Sequence, residues 1–565
     1  MSRVIGIGKQ NFESIIRENL FYIDKTGFIR EWWENQDDVT LITRPRRFGK
    51  TLTLNMVETF FSVDYNGRKD LFEGLSILQD EKYRDIQGTY PVISISFAGI
   101  KENDYKSTKK KICQMITDLY SRHRYLTDTG LMSAQEKRFF SEVSADMEDY
   151  QATIALQKLC SFLYQYYRKK VIILLDEYDT PMQEAYVDGY WAELVGFTRS
   201  LFNSTFKTNP FMERAVMTGI TRVSKESVFS DLNNLVIITT TSELYADSFG
   251  FTQEEVRNGL AEYGLENKFC QVKDWYDGFD FGSVSDIYNP WSILNYMKFR
   301  KFEAYWANTS SNSLISRLIQ EGSADVKMRM EDLMKGKSIT VSFDEQVVYS
   351  QLDESEEAIW SLLLASGYLK ARTHYILQDG EHWYELELTN QEVRVMFRGI
   401  IKGWFKRSDT RYNDFVKALL SGDLKAMNVY MNHVSLSTFS YFDTGKNGSS
   451  MADPEWFYHG FVLGLMVELA DRYHITSNRE SGFGRYDVVL EPGNKTDDAF
   501  VMEFKSLNAE EERDLEETAE AAIRQIKEKA YAADLEARGI PGERIRLLGF
   551  AFQGKKVLIK KTDFL

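Results

Sequence analysis

The 565-residue chain is 43% hydrophobic and 14% aromatic, enough to bury several cores, and its length suggests roughly three or four domains. A net charge of −15 excludes a surface coated for non-specific nucleic-acid binding, although a groove can still be locally basic. Three cysteines far apart in sequence (Cys113, Cys160, Cys270) and six scattered histidines exclude a disulfide framework and a zinc cluster. The opening Met1-Ser2-Arg3-Val4-Ile5-Gly6 carries no apolar signal region, and no stretch approaches the roughly 18 apolar residues that span a bilayer. The expectation is a cytoplasmic protein with no membrane partner.

In chain order, a mixed lead-in holds Phe21-Tyr22-Ile23-Asp24-Lys25-Thr26, and an apolar strand follows at Val39-Thr40-Leu41-Ile42-Thr43. The arginine-rich turn Arg44-Pro45-Arg46-Arg47-Phe48-Gly49-Lys50-Thr51 leads directly into a helix with Leu52, Met56, Val57 and Phe60 on one stripe. A buried strand reads at Val92-Ile93-Ser94-Ile95-Ser96-Phe97 and helices at 103–123 and 153–168. The run Val171-Ile172-Ile173-Leu174-Leu175 ends at Asp176-Glu177, and Ala215-Val216-Met217 ends at Thr218-Gly219. Continuous apolar strands alternating with helices imply a parallel sheet covered on both faces.

From about 245 to 320 the pattern reads helical with aromatic-rich connections. A helix at 356–366 then precedes Tyr368-Leu369-Lys370 and the alternating run Trp383–Leu388, an order that suggests a winged-helix-like module. The segment 446–565 reads helix, three strands, helix, strand. The domains expected are 1–240 (P-loop ATPase), 241–340 (helical lid or extension), 341–445 (helical, winged-helix-like) and 446–565 (a terminal α/β domain).

A Gly-Lys-Thr between a buried strand and a helix is the core of a phosphate-binding loop, where backbone N–H groups and the helix N-terminus cradle phosphate oxygens. Lys50 would reach the β- and γ-phosphates of ATP, and the Thr51 hydroxyl would ligate Mg²⁺. The usual pattern has glycine five positions before Gly49. Here that position is Arg44, and Pro45 removes one N–H donor. Asp176 and Glu177 at a strand's C-terminal edge fit a Mg²⁺-binding Asp and a water-polarising Glu. Thr218 is placed to sense the γ-phosphate. Arg222 neutralises transferring charge or serves as an ion-pair partner. Arg46 and Arg47 either grip phosphate or face solvent.

In the last domain, strand alternation projects Glu503 and Lys505 to one face and Phe504 into the core. An Asp on the neighbouring strand, Asp487, completes two carboxylates and a lysine, the minimum for holding Mg²⁺ and activating a water against a phosphodiester. A Glu-x-Lys triplet alone more often marks an exposed strand face, and it is Asp487 and the order of elements that favour the site.

The motifs Phe21–Thr26, Arg44–Leu52, Leu175–Pro181, Thr218–Arg222, Trp275–Phe279 and Tyr288–Ser292 closely resemble the bacterial AAA-ATPase-like family, whose members carry a C-terminal PD-(D/E)XK nuclease-like domain. The resemblance spans the whole chain. It implies an α/β fold: an N-terminal P-loop (AAA-like, ASCE) parallel sheet with helices on both faces, a helical and winged-helix-like middle, and a C-terminal PD-(D/E)XK nuclease-like fold. The arginine-rich loop, with Gly49, Lys50 and Thr51 binding ATP, is that family's usual form. The resemblance further implies a third acidic residue, Glu468 on a helix at 456–473 or Glu480 in the glycine-rich turn, and an accessory Gln525 with Lys529 one turn later. The function expected is an ATP-binding and ATP-hydrolysing protein coupled to a Mg²⁺-dependent nuclease, with nucleic acid, DNA first, as substrate. The alternative is a nucleotide-controlled switch or scaffold that binds nucleic acid or protein without cutting. The oligomeric state is left open.

Overall fold

The structure, a computed structural model, describes residues 2–221, 228–229, 232–307, 313–343, 352, 355–377, 381–406, 413–438, 462, 466, 469, 472–481, 484–507, 512–528, 533–553 and 556–563. Two compact units emerge: Met1–Ile319 with Asp332–Arg394, and Gln320–Glu331 with Val395–Leu565.

The first unit is built on a five-stranded parallel sheet of β1 (Val39–Thr43), β2 (Val92–Ser96), β3 (Val171–Asp176), β4 (Met212–Gly219) and β5 (Leu235–Ile238), in the order β2-β3-β4-β1-β5. Strands β1 and β3 are buried at every position, which is why β3 is a continuous apolar run and β1 pairs its apolar residues with small buried threonines rather than exposed polar ones. The order places β4 between β1 and β3, with Thr43 beside Gly219 and Leu175 beside Met217. The loop after β1 and the acidic pair after β3 therefore meet across the end of β4. Helix α1 (Lys50–Phe61) follows the loop and buries Met56, Val57, Phe60 and Phe61. The helices read at 103–123 and 153–168 occur at Tyr105–Arg122 and Asp149–Tyr167.

The segment after the sheet is less uniformly helical than the sequence suggests. Helices Gln253–Glu262 and Phe269–Tyr276 are followed by a two-stranded hairpin, β6 (Phe279–Phe281) and β7 (Val284–Ile287). Positive φ values at Gly278 (113°) and Gly282 (54°) turn the chain there. Helix α2 (Pro290–Phe299) opens with proline at its first position behind the Asn289 cap. Strand β8 (Ile339–Ser342), helix α3 (Glu356–Ala365), β9 (Leu369–Ile376) and β10 (His382–Leu388) form a module whose antiparallel sheet runs β8-β10-β9, the winged-helix-like order. Helix α4 (Gln391–Lys406) comes next in the chain.

In the second unit, helix α5 (Leu424–Thr438) precedes a sheet of β11 (Tyr473–Ser481), β12 (Gly484–Pro492), β13 (Ala499–Ser506), β14 (Ile545–Gln553) and β15 (Lys556–Asp563), ordered in sequence. Only β13 and β14 are parallel, and α6 (Leu515–Glu528) lies in the crossover between them. Tyr473, read as the end of a helix, instead opens β11, and β15 is one strand more than the sequence order suggested. Most of 456–472 lies outside the described residues, but Val462, Met466 and Leu469 are buried in this unit's core. The outer edge of β15 is closed by side chains. Asn428 exchanges two hydrogen bonds with the Ile559 backbone (2.8 and 2.9 Å), and Asn432, one helical turn on, exchanges two with Val557 (2.6 and 3.0 Å). Two asparagines four apart on α5 thus stand in for a neighbouring strand.

Candidate functional site

The loop between β1 and α1 turns through left-handed residues at Arg47 (φ 66°) and Gly49 (φ 87°). Lys50 folds back over it, donating from Nζ to the carbonyls of Arg44 and Pro45, each at 2.8 Å. Burial pushes its ammonium down to about 8, against the opposing pull of Glu177, Asp176 and Asp179. The Thr51 hydroxyl donates to Asp176 Oδ2 at 2.8 Å, and the Thr218 hydroxyl donates to Asp176 Oδ1 at 2.6 Å. Two hydroxyls, one from the first turn of α1 and one from the end of β4, therefore meet on the carboxylate at the end of β3. Burial raises the Asp176 pKa, and the two hydroxyls work against that shift.

Glu177 follows in the left-handed region (φ 50°), an uncommon conformation for a residue with a side chain. Its amide donates to Thr218 Oγ1 at 3.3 Å, and Thr180 Oγ1 donates to its carboxylate at 3.1 Å. Arg46 reaches Gln183 Oε1 at 3.1 Å. Arg47 is exposed, with its guanidinium 4.5 Å from the Trp291 ring centroid. Arg222 lies outside the described residues. Beside the loop is an apolar cavity of about 100 Å³ lined in part by Phe21, Tyr22, Ile23, Leu52, Met56 and Phe251.

Three residues gain roles that the sequence did not announce. Arg44, in the place of the usual glycine, is fully buried; its guanidinium donates to the carbonyls of Thr43 (3.0 Å) and Thr239 (2.6 Å) and lies 4.3 Å from the Phe281 ring centroid. Asp179, also fully buried, accepts from the amides of Ile220 (3.0 Å) and Thr221 (2.9 Å) and from the Thr221 hydroxyl (2.9 Å), tying the loop after β4 to the loop after β3. Gly219 sits so close to the Tyr178 ring that a Cβ there would lie 2.5 Å from it. The only sequence signal for Asp179 and Gly219 is their place inside the two strand-end motifs.

In the second unit, Glu503 and Lys505 lie two apart on β13; Glu503 is 4% exposed and Lys505 half-buried. Gln525 Nε2 on α6 donates to Glu503 Oε1. The residue beside Glu503 on β14 is Gly549, and a Cβ there would lie 2.4 Å from the Ala519 carbonyl, so the missing side chain lets α6 sit this low over the sheet. On the other side, Val488 of β12 faces Met502. The side chains of Asp487 and Glu480 lie outside the described residues, as do Glu468, His459 and Lys529. Among the described residues no three His, Cys, Asp or Glu side chains form a metal-ligating group, and no helix is long and apolar enough to cross a membrane.

Comparison with known proteins matches these two regions separately. Residues 6–229 fit the model of the AAA-ATPase-like family, described as "Predicted AAA-ATPase", and residues 453–562 fit that of the PD-(D/E)XK nuclease superfamily. A protein of Azotobacter chroococcum mcd 1, "Uncharacterized protein in vnfD 5'region", is 26% identical over 561 residues, covering 97% of this chain and 96% of its own. A solved structure of the Aeropyrum pernix ORC2 protein, in ADPNP and ADP complexes, aligns over 66% of this chain and 92% of its own at 11% identity, with a TM-score of 0.23. The five-stranded parallel sheet falls within the region that matches the AAA-ATPase-like model, 6–229, apart from β5, and the terminal mixed sheet, all but its last residue, within the region that matches the PD-(D/E)XK nuclease superfamily, 453–562.

Proposed function

We propose that the N-terminal domain binds and hydrolyses ATP, and that this controls a Mg²⁺-dependent nuclease in the C-terminal domain acting on phosphodiester bonds of nucleic acid, DNA in the first instance. The observation that carries the reading is the convergence of Thr51 and Thr218 on Asp176 beside Lys50. A hydroxyl and a carboxylate oxygen 2.8 Å apart at a strand's C-terminal edge are hard oxygen donors of the kind Mg²⁺ takes. Thr51 and Asp176 would hold that ion, Lys50 would turn from the loop carbonyls to the phosphates, and the apolar cavity beside the loop would receive the base. Glu177 would orient the attacking water and Arg222 would offset charge on the transferring phosphate.

In the C-terminal domain, Asp487 and Glu503, with Glu468 or Glu480, would hold Mg²⁺. When bound, the ion lowers the pKa of its water and offsets phosphate charge. Lys505 would orient or deprotonate the attacking water, and Gln525 fixes the rotamer of Glu503 through their hydrogen bond.

The test uses the purified full chain on labelled single- and double-stranded DNA and RNA, with Mg²⁺ and with or without ATP. The reading expects ATP hydrolysis that Lys50→Ala removes, and cleavage that Lys505→Ala removes while ATP binding persists. Nucleotide binding without cleavage of any substrate would replace it with the nucleotide-controlled switch that binds without cutting.

A further inference from the structure

Two features stand outside the chemistry proposed above: the Tyr288–Ser292 motif and Glu392. Asn289 is fully buried at the start of α2. Its Oδ1 accepts the Trp291 amide at 2.9 Å, and its Nδ2 donates to the Arg46 carbonyl of the phosphate loop at 3.1 Å. The next loop residue, Arg47, lies over the Trp291 ring. The first turn of α2 therefore holds the loop at two successive residues. The same turn also bonds away from the loop. Ser292, fully buried, donates from Oγ to Glu392 Oε2 at 2.8 Å.

Glu392 is itself fully buried in the first turn of α4, and its Oε1 accepts the amides of Trp306 (2.5 Å) and Ala307 (3.3 Å). Burial pushes its carboxyl up to about 7. A buried carboxyl is a costly way to fill space, and an apolar residue would pack the site at lower cost. What Glu392 adds is a directional link joining three segments. The boundary between the two compact units falls inside α4, after Arg394.

The loop cannot bind a nucleotide and stay as it is. Lys50 spends two of its three N–H donors on the carbonyls of Arg44 and Pro45, so turning its ammonium toward a phosphate loosens its hold on the loop, in which Arg46 and Arg47 are the next residues. We propose that the first turn of α2 and Glu392 form a relay that reports nucleotide occupancy of the phosphate loop to helix α4, and through it to the C-terminal unit. The proposal rests on the nucleotide-binding reading above. Rearrangement at Arg46 and Arg47 shifts Asn289 and Trp291. The helix carries Ser292 with them, and Glu392 follows because its two oxygens are held from two sides. Glu392 is a positioning residue and touches no substrate.

The experiment is hydrogen exchange of the full chain, read on peptides covering 391–406, with Mg²⁺ and ADP or ATPγS, alongside direct measurement of nucleotide affinity. In the wild type, nucleotide changes exchange in 391–406. Ser292→Ala and Glu392→Ala bind nucleotide within about threefold of wild type, a difference well under 1.4 kcal/mol, yet lose that change. Glu392→Gln keeps it, since the amide accepts from the Trp306 and Ala307 N–H groups and donates to the Ser292 hydroxyl, which turns to accept. Should Glu392→Ala not fold, Ser292→Ala carries the test. A wild-type response in Ser292→Ala, loss of response in Glu392→Gln, or nucleotide bound by the wild type without any change in 391–406 overturns the relay. A wild type that binds neither nucleotide overturns the ATP reading first, and the affinity measurement separates that failure from the relay's own.

Discussion

Raising the pH from 7 to 9 should weaken nucleotide binding about tenfold, because Lys50 must be charged to hold phosphate and burial in the loop favours its neutral form. Its ammonium is pushed down to about 8 with its Nζ bonded to two carbonyls, an arrangement a neutral amine also satisfies. Contact with phosphate restores the charge, so binding above that pKa takes up a proton, and affinity falls by up to tenfold, about 1.4 kcal/mol, per pH unit. Below about pH 7.5 the lysine is already charged and the dissociation constant should be flat. The nucleotide's own phosphate ionisation lies near pH 6, outside the window. A fluorescent ADP titration from pH 7 to 9.5 at fixed ionic strength reads the effect. Lys50→Arg supplies the control, since a guanidinium does not lose its proton in this range. A dissociation constant that stays level to pH 9.5 in the wild type would refute the reasoning. So would an equal pH slope in Lys50→Arg.

Gly219→Ala places a methyl 2.5 Å from the Tyr178 ring, which is fully buried and pinned by its hydroxyl to the Thr221 carbonyl at 2.8 Å. The overpacking should cost about 1–3 kcal/mol in a denaturant titration, and an unchanged midpoint would show that the ring can yield. Thr218→Val strips one hydroxyl from Asp176 and the acceptor from the Glu177 amide. It should lower stability by about 1–3 kcal/mol and weaken the Mg²⁺ dependence of nucleotide affinity, read by comparing Mg²⁺ with EDTA; equal dependence in variant and wild type counts against Asp176 as the ion's holder. Asn428→Ala with Asn432→Ala removes four hydrogen bonds from the edge of β15. Stability should fall by about 2–4 kcal/mol, and the bared edge should self-associate, seen as concentration-dependent light scattering; a monomer of wild-type stability would deny the asparagines their edge-closing role.

What the sequence revealed, and what it hid, follows from the range of the interactions. A parallel strand buried on both faces writes itself as a predominantly apolar run, so β1 and β3 and the polar residues at their ends could be read directly. The alternation of Glu503, Phe504 and Lys505 placed the first and last on one face because strand periodicity is local. The bond from Thr218 to Asp176 needs β4 beside β3, a fact of sheet order that neither strand contains by itself. The β6–β7 hairpin was hidden because a three-residue strand is too short to show a period amid aromatics that also suit helices. Asn428 and Asn432 carry no such signal, since nothing in their spacing distinguishes water from a strand edge as their partner.

Arg44 stands where the usual phosphate-loop pattern has its first glycine. That glycine is needed where the backbone must be left-handed or where a ligand must come close, and Arg44 is not among the positive-φ residues. The left-handed turns fall instead at Gly49, where glycine is retained, and at Arg47. There a side chain costs about 1–2 kcal/mol, partly offset by the stacking on Trp291, about 0.5–1 kcal/mol at an exposed site. The Arg44 side chain leaves the loop altogether, anchoring it to the Thr239 carbonyl and the Phe281 ring, whose contacts offset the burial that works against its charge. Its carbonyl and that of Pro45 remain in the loop, and Lys50 satisfies both. The loop is thereby tied down by its own side chains: anchored by one arginine, stacked by another, and closed by Lys50. On the nucleotide-binding reading, the charge Lys50 brings to phosphate is the one its burial works against, which is why its protonation should be visible in the affinity.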